Sequence, residues 1–356
     1  MNREDVLNAI GRNQTIEKQD LAGVDLSGAD LTGGRFEKVS FLGADLRGVN
    51  IEKTGFDKCD FSRAVFDSTN FVKVNMQQMN FSGTSLKKVK LHMSLFGMSD
   101  FTGADFTGAH LGWSMLQKTK MDGAIFKDAT FEKIFLSASS LKQADFTNAE
   151  LTKISFADSD LEGADFKGTK FFKVFLGKCN LAKQNFRGAA FSQVNVSEAN
   201  LREADFTGAD ITMSNFMNAD LSDAVLDRAK GRSAMFKGAI LQRTSLAGAD
   251  LTQAYFGDCD LSLADFSGAV LESGILTKAK CRAAKFVGSR CQYSDFSYSD
   301  LTAADFTEAG LYMAKMHLVL EDHTIWDRSN RLMLRGTDKD LAEAELWVPP
   351  PEPYSG

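Results

Sequence analysis

From Leu21 to Met316 the chain keeps a repeat of five residues without a slip in phase. Every fifth residue is apolar, as at Leu21, Leu26, Leu31, Phe36, Phe41 and Leu46 and onward to Phe306 and Leu311, with Gly231 the one exception. The residue two before is usually small (Ala29, Ala104, Ala204, Ala264), the residue directly before is often Asp or Asn, and Gly recurs two residues after. An α-helix turns its face by about 140° over five residues, so these hydrophobes would spiral around it and never meet one core. A flat strand with an odd period throws successive hydrophobes onto opposite faces. A chain that turns a corner at every repeat, aims the fifth residue inward and returns above itself satisfies the pattern. Such a fixed internal period is the signature of a solenoid.

Stretches such as Ala29-Asp30-Leu31-Thr32-Gly33, Ala104-Asp105-Phe106-Thr107-Gly108 and Ala204-Asp205-Phe206-Thr207-Gly208 resemble the pentapeptide-repeat family. The resemblance implies an all-β solenoid, a right-handed quadrilateral β-helix with about twenty residues in each coil. Roughly fifteen coils, stacked about 4.8 Å apart, are then expected. The organisation expected is an N-terminal capping helix in 1–15, the repeat array in 16–318, and a C-terminal cap with a Pro-rich tail in 319–356. Because the phase holds throughout, no inserted loop is expected. The least regular places, Leu226 to Met235 and Leu276 to Cys291, are expected to be soft, with Phe236 and Phe286 filling part of the gap.

The leader Asn2 to Asn13 reads as a helix, with Val6, Leu7 and Ile10 on one side and Gly11 placed to end it. A solenoid end exposes core and strand edges, so a cover is required there. Arg3-Glu4-Asp5-Val6-Leu7, followed by Asp20-Leu21 and Asp25-Leu26, also resembles the start of pentapeptide arrays carried by bacterial type VI secretion proteins. That resemblance implies an adaptor or cargo-associated role, with a secretion-system component or effector as partner and export by a non-classical route. Beyond Met316 the pattern fails. Leu318, Val319, Leu320, Ile325 and Trp326 read as a cover for the last coil, and Lys339 to Trp347 as a short helix. All 4 prolines lie at the end, in a segment suited to polyproline II, either a disordered end or a peptide for a partner's groove.

With 41 basic and 47 acidic residues the formal charge of −6 announces no nucleic-acid binding, and direct contact with nucleic acid is not expected. No apolar run of about eighteen residues exists, so neither a membrane span nor a signal peptide is expected, and the location expected is cytoplasmic. The 5 cysteines all take inward positions, where free cysteine behaves as a small hydrophobe. His92, His110, His317 and His323 have no metal or triad spacing, and the glycines form no phosphate loop. An enzyme, a metal site or a cofactor is therefore not expected. The aspartates read as turn residues bonding nearby backbone amides.

Stepping in twenties separates the sides. Columns such as Asp20, Asp60, Asp100 and Asp105, Asp145, Asp165 are acidic. On the fourth side Leu95, Met115, Phe135, Phe175, Met235, Tyr255 and Ile275 stand where Asp or Asn is usual, and should point outward. A neighbouring corner column holds Lys53, Lys73, Met93, Trp113, Lys133, Lys153, Lys173, Met213, Tyr293 and Met313, with Phe172 and Tyr312 adjacent. Stacked, they would form one continuous ribbon of apolar and basic groups, the residue types that interfaces favour. Leu95, Trp113, Met115, Phe135, Phe172, Phe175, Met213, Met235, Tyr255 and Ile275 are the candidate partner-binding residues. The alternatives are that the C-terminal tail covers the ribbon or that its side chains ladder against one another. The function expected is a non-catalytic, rod-like interaction scaffold or adaptor that binds a protein or a second copy of itself. The other reading, from rod shape and aspartate columns, is a DNA-mimicking protein that binds and protects gyrase.

Overall fold

Each group of five closes into a corner through one turn. On most turn sides, though not on the strand sides, the central residue's carbonyl accepts a hydrogen bond from the amide three residues on, as from Ala104 to Phe101 at 2.9 Å and from Ala264 to Leu261 at 3.0 Å. The residue before that amide takes a φ between 48 and 75°, the conformation that a type II turn requires at its third position. Glycine does so freely at Gly103 and Gly248, yet most corners hold residues with side chains, such as Lys38, Gln143 and Tyr298. Each of those opposes its own preference by about 1 kcal/mol. The corner is thus imposed by stacking as much as by composition.

The computed structural model describes residues 1–346. Its coils pair in parallel with a register of twenty residues, from Asp20↔Ser40 to Lys315↔Arg335. Most sides contribute a single bridge. Longer strands occur in two runs: β1 (Thr15–Glu17), β2 (Arg35–Glu37) and β3 (Gly55–Asp57) form one sheet in that order. The other contains β4 (Asn70–Val72), β5 (Lys90–His92), β6 (His110–Gly112), β7 (Thr130–Glu132), β8 (Glu150–Thr152) and β9 (Lys170–Phe172). The architecture is a β-solenoid.

Central residues fill the lumen. Phe41, Phe61, Phe81 and Phe101 stack ring on ring at 4.9, 5.2 and 4.7 Å, and Phe216, Phe236 and Phe256 at 4.9 and 4.7 Å. Where the small inward residue is Ser or Thr, its hydroxyl donates to a central carbonyl of the preceding coil, as Thr84 does to Phe61 at 2.8 Å. The thiols of Cys179 and Cys259 make the same contact with Phe156 and Phe236. All five cysteines are buried and free. Burial raises their pKa values, to about 11 at Cys59 and about 12 at Cys179, Cys259 and Cys291.

The N-terminal end is closed by α1 (Arg3–Gly11), started by a capping box between Asn2 and Asp5. Val6 and Ala9 are buried on the first coil, and Arg3 donates to the Ser27 carbonyl at 2.9 Å. Gly34 takes a small inward position near this helix. A Cβ on it would lie 2.9 Å from the Leu31 oxygen and 3.3 Å from Ile10 Cδ1.

At the other end the coil path runs past the expected boundary at 318, through bridges Asp300↔Leu320, Asp305↔Ile325, Gly310↔Asn330 and Lys315↔Arg335. The pattern fails there because an end coil has a neighbour on one side only. Glu321 and Arg331 stand exposed at central positions, while the backbone ladder continues regardless of side chain. Trp326 closes the lumen, stacked on Phe306 at 4.7 Å with the Arg331 guanidinium 5.6 Å from its own ring. Next comes α2 (Lys339–Leu346), tied back by Glu345 to the Tyr298 hydroxyl and by the Asp338 amide to His317 at 3.1 Å. Trp347 and the Pro-rich run that follows lie outside the described residues.

The softness expected at Gly231 is not found. Its amide bonds the Asp250 carbonyl at 2.7 Å, and the missing side chain is replaced by Leu251 and Ile211, within 2.9 and 3.3 Å of where a Cβ would stand. Coils above and below supply the filling, rather than Phe236. The stretch Leu276 to Cys291 keeps its bridges as well. Replacing Phe236, fully buried between two stacked rings, by alanine should destabilise the protein by about 3–5 kcal/mol, measured by urea unfolding. A loss under about 1 kcal/mol would mean that the lumen can collapse onto the gap.

Candidate interaction surface

The Asp or Asn before each central residue is the bridging residue, with a side chain that points outward. Its carboxylate usually turns back to accept the amide two residues on, as Asp105 does from Thr107 at 2.9 Å and Asp300 from Thr302 at 3.1 Å. Where this residue is apolar, no such bond forms and the side chain lies on the wall. The fourth-side column stacks in the order Leu95, Met115, Phe135, Ser155, Phe175, Asn195, Asn215, Met235, Tyr255 and Ile275. Met115, Phe135, Phe175, Met235 and Ile275 are exposed, Phe135 at 50 %, whereas Leu95 and Tyr255 are half-buried.

The ribbon is not continuous. Ser155 interrupts it once, and Asn195 with Asn215 divides it into a group at Leu95–Phe175 and a group at Met235–Ile275. Two glycines that sequence reasoning passed over help to shape it. A Cβ at Gly177 would come within 2.7 Å of the Phe175 ring, and one at Gly257 within 2.6 Å of Tyr255. Each ring therefore lies flat across the glycine two residues on. The spacing aromatic-x-Gly is the signal that could have revealed this.

In the corner column Trp113, Phe172 and Met213 are exposed, Met213 at 61 %. Lys133 Nζ sits 3.5 Å from the Trp113 ring centroid, and Lys173 Nζ is 5.3 Å from Phe172. Part of the column thus ladders on itself. The lysines there also have a structural reason. The corner after each of the nine strands, Lys18, Lys38, Lys58, Lys73, Met93, Trp113, Lys133, Lys153 and Lys173, is never glycine. Helix α2 meets the same side of the coil at Tyr298 and His317, leaving Met235 and Ile275 open.

Several aspartates of the acidic columns are paired with basic side chains. Lys87, Lys127, Arg187, Arg202 and Arg282 reach Asp105, Asp145, Asp205, Asp220 and Asp300 of the next coil at 2.5 to 3.2 Å. Partial burial alone would raise the pKa of these carboxyls. The hydroxyl or amide donors of the residue two on, together with the basic partner, outweigh it and hold each below the usual value.

A concavity of about 720 Å³ is an open groove on the outer face of β4 to β8 that contains His92 and His110. Among the described residues no three His, Cys, Asp or Glu side chains come together as a metal site. No helix among them is long and apolar enough to cross a membrane.

Known proteins match in keeping with this geometry. A sequence model of the family described as Pentapeptide repeats matches residues 20–56, 59–96, 185–223, 215–246, 244–280 and 284–319, and one described as Pentapeptide repeat region matches 89–166. Solved structures that the chain resembles include HetL, a pentapeptide repeat protein involved in heterocyst differentiation regulation in the cyanobacterium Nostoc sp. strain PCC 7120. It is 18 % identical over 73 % of this chain and 88 % of its own, with a TM-score of 0.26. QnrB1, a plasmid-mediated fluoroquinolone resistance protein, is 22 % identical over 56 % of this chain and 88 % of its own, with a TM-score of 0.29. A pentapeptide repeat protein of the Arabidopsis thaliana thylakoid lumen is 33 % identical over 30 % of this chain and 68 % of its own, with a TM-score of 0.18. No curated protein sequence matches.

A carboxyl whose folded pKa is depressed contributes stability above its ordinary value of 3.8 and loses it as pH falls through the folded value. The melting temperature should therefore hold from neutral pH to about 4.5 and fall steadily below about 4. A decline that began near pH 6 would assign the acid sensitivity to histidine instead. On the family matches and the coil register together, the chain belongs to the pentapeptide-repeat family.

Proposed function

We propose that the protein is a non-catalytic scaffold, a right-handed, four-sided rod of roughly fifteen coils at about 4.8 Å each, which binds a protein partner or a second copy of itself along its fourth side. The observation that carries this reading is the set of apolar side chains laid outward on a repeating wall, Phe135 and Phe175 foremost. A backbone ladder holds their Cα atoms in register, so little ordering entropy remains to be lost on binding. Aromatic and Met side chains with lysines beside them are the types that interfaces use as anchors.

The association with type VI secretion rests on the leader alone. Those residues already have a local task, since Asn2 and Asp5 start the capping helix and Arg3 fastens it to Ser27. A genomic neighbourhood without secretion-spike genes would remove the association. The DNA-mimic reading draws on the acidic columns, but a lysine or arginine stands against many of those aspartates, and an uncovered row of charge is what a gyrase decoy needs. Excess protein should leave gyrase supercoiling unchanged at low salt.

Replacing Phe135 and Phe175 together by glutamate should shift the melting temperature by less than about 3 °C, because neither side chain enters the lumen. Capture of the partner from the native host, or self-association in sedimentation, should weaken by about thirtyfold or more. If the fold holds and neither capture nor association changes, the fourth side is not the interface.

A further inference from the structure

Most coils stack through backbone hydrogen bonds on every side, a strand on a strand or a turn on a turn. At two places this rule is broken. The strand run moves from one side of the coil to another between β3 and β4, so the turn side at Ile51 faces β4 and β3 faces the turn side at Asn75. Those are the two sides on which bonding is lost. Among the described residues no bridge joins Asn50 to Asn70 or Gly55 to Asn75, and no backbone hydrogen bond links 51–58 with 70–77. On the flanks the stack is whole, with Leu46 N to Val65 O and Phe61 N to Asn80 O both at 2.7 Å. Phe56, a central residue, is only partly buried here.

The second break follows β9, where strands give way to turns. No backbone hydrogen bond links 161–173 with 180–192, and the bridge from Asp165 to Asn185 is missing. The bridges Asp160↔Asn180 and Lys170↔Ala190 persist without a short hydrogen bond, and the fourth side stays fully bonded, with Leu176 N to Asn195 O at 2.7 Å. The Phe166 and Phe186 rings stand 5.8 Å apart, where the stacks on either side measure 5.1 and 4.8 Å. A cavity of about 580 Å³ opens between Asp165–Ala190 segments of the two coils. Gln184 takes a position usually held by alanine and donates its side-chain amide to the Leu161 carbonyl at 2.9 Å, a side-chain link where backbone ones are lost. The family matches stop at 166 and resume at 185 around the same junction.

We propose that the solenoid bends at these two seams, so that the protein moves as three stiff segments joined by hinges rather than as one rod. At the second seam the fully bonded fourth side is the hinge axis, and the side from Asp165 to Asn185, which has neither bridge nor backbone hydrogen bond, opens and closes. Because the two groups of the apolar ribbon, Leu95–Phe175 and Met235–Ile275, lie on either side of that seam, bending changes the angle between them. The first seam falls where strands face turns, and the second has its unbridged side turn on turn, next to the side where β9 meets a turn; neither needs an insertion or a loss of phase.

The test uses the full chain with pairs of spin labels at outward positions, the native thiols being buried. Lys127→Cys with Thr207→Cys spans the second seam, and Thr207→Cys with Val287→Cys covers the same number of coils within the third segment. The distance distribution across the seam should be at least twice as wide as the one within the segment. Hydrogen exchange read by NMR supplies the second measurement. The amides of Ile51, Phe56 and Phe166 should exchange at least tenfold faster than those of Phe206 and Ile211, which are bonded at 2.7 and 2.8 Å. Equal widths overturn the hinge at the second seam. Seam amides as slow as their bonded counterparts overturn both seams.

Discussion

The backbone ladder between one coil and the next is the interaction on which everything else depends. It pairs residues twenty apart, and it is indifferent to side chains. This indifference lets lysine, glutamine and tyrosine occupy corners with positive φ, a conformation that they would not hold alone. It also lets the last coil form with Glu321 and Arg331 at positions that elsewhere carry Leu or Phe. The aromatic stack inside the lumen then adds burial and fixes the spacing of about 5 Å between rings.

The sequence made the fold class legible through the period of five alone, because only a coil turns such a period into one core. The N-terminal helix was equally readable from Asn2, Asp5 and the apolar set Val6, Leu7 and Ile10. The end of the array was not, since its last coil obeys the backbone and not the pattern. Softness was sought at Gly231, on the reasoning that volume in the lumen controls rigidity. Neighbours above and below fill the missing side chain there, whereas at the seams backbone hydrogen bonds are lost and Gln184 supplies one side-chain link in their place. Side shape has its own trace in the sequence. None of the nine strands is followed by alanine at the small inward position or by glycine at the corner. Turn sides such as those ending in Lys88-Val89 and Gln193-Val194 share both absences, so strand boundaries and seams are not legible from them alone.

For the fourth side, outward placement was legible because the residue before a central one must face solvent. Its interruption by Ser155, Asn195 and Asn215 was visible in the same columns, but the count of apolar residues hid it. Contacts between coils were less accessible. The Lys133 ammonium on Trp113, and the rings of Phe175 and Tyr255 lying on Gly177 and Gly257, depend on side-chain direction, which a column of letters does not contain. Lysines first read as part of an interface turn out to mark strand corners as well.

These two roles of one column bear on how an interaction surface arises on a solenoid. None of the nine corners after a strand is glycine, so each carries a side chain, projected at a fixed spacing along the rod. When that side chain is lysine the corner stays solvated; at Met93 and Trp113 it adds apolar area beside Met115 and Phe135 without disturbing the ladder. The strand run β4 to β9 thereby supplies both a flat wall and a row of obligatory side chains next to the fourth side. The seams lie at the two ends of the same run, where strands start and stop. An apolar surface and the seams that bound it thus follow one run of strands. The first group of the ribbon, Leu95 to Phe175, lies wholly on the coils between the two seams for that reason.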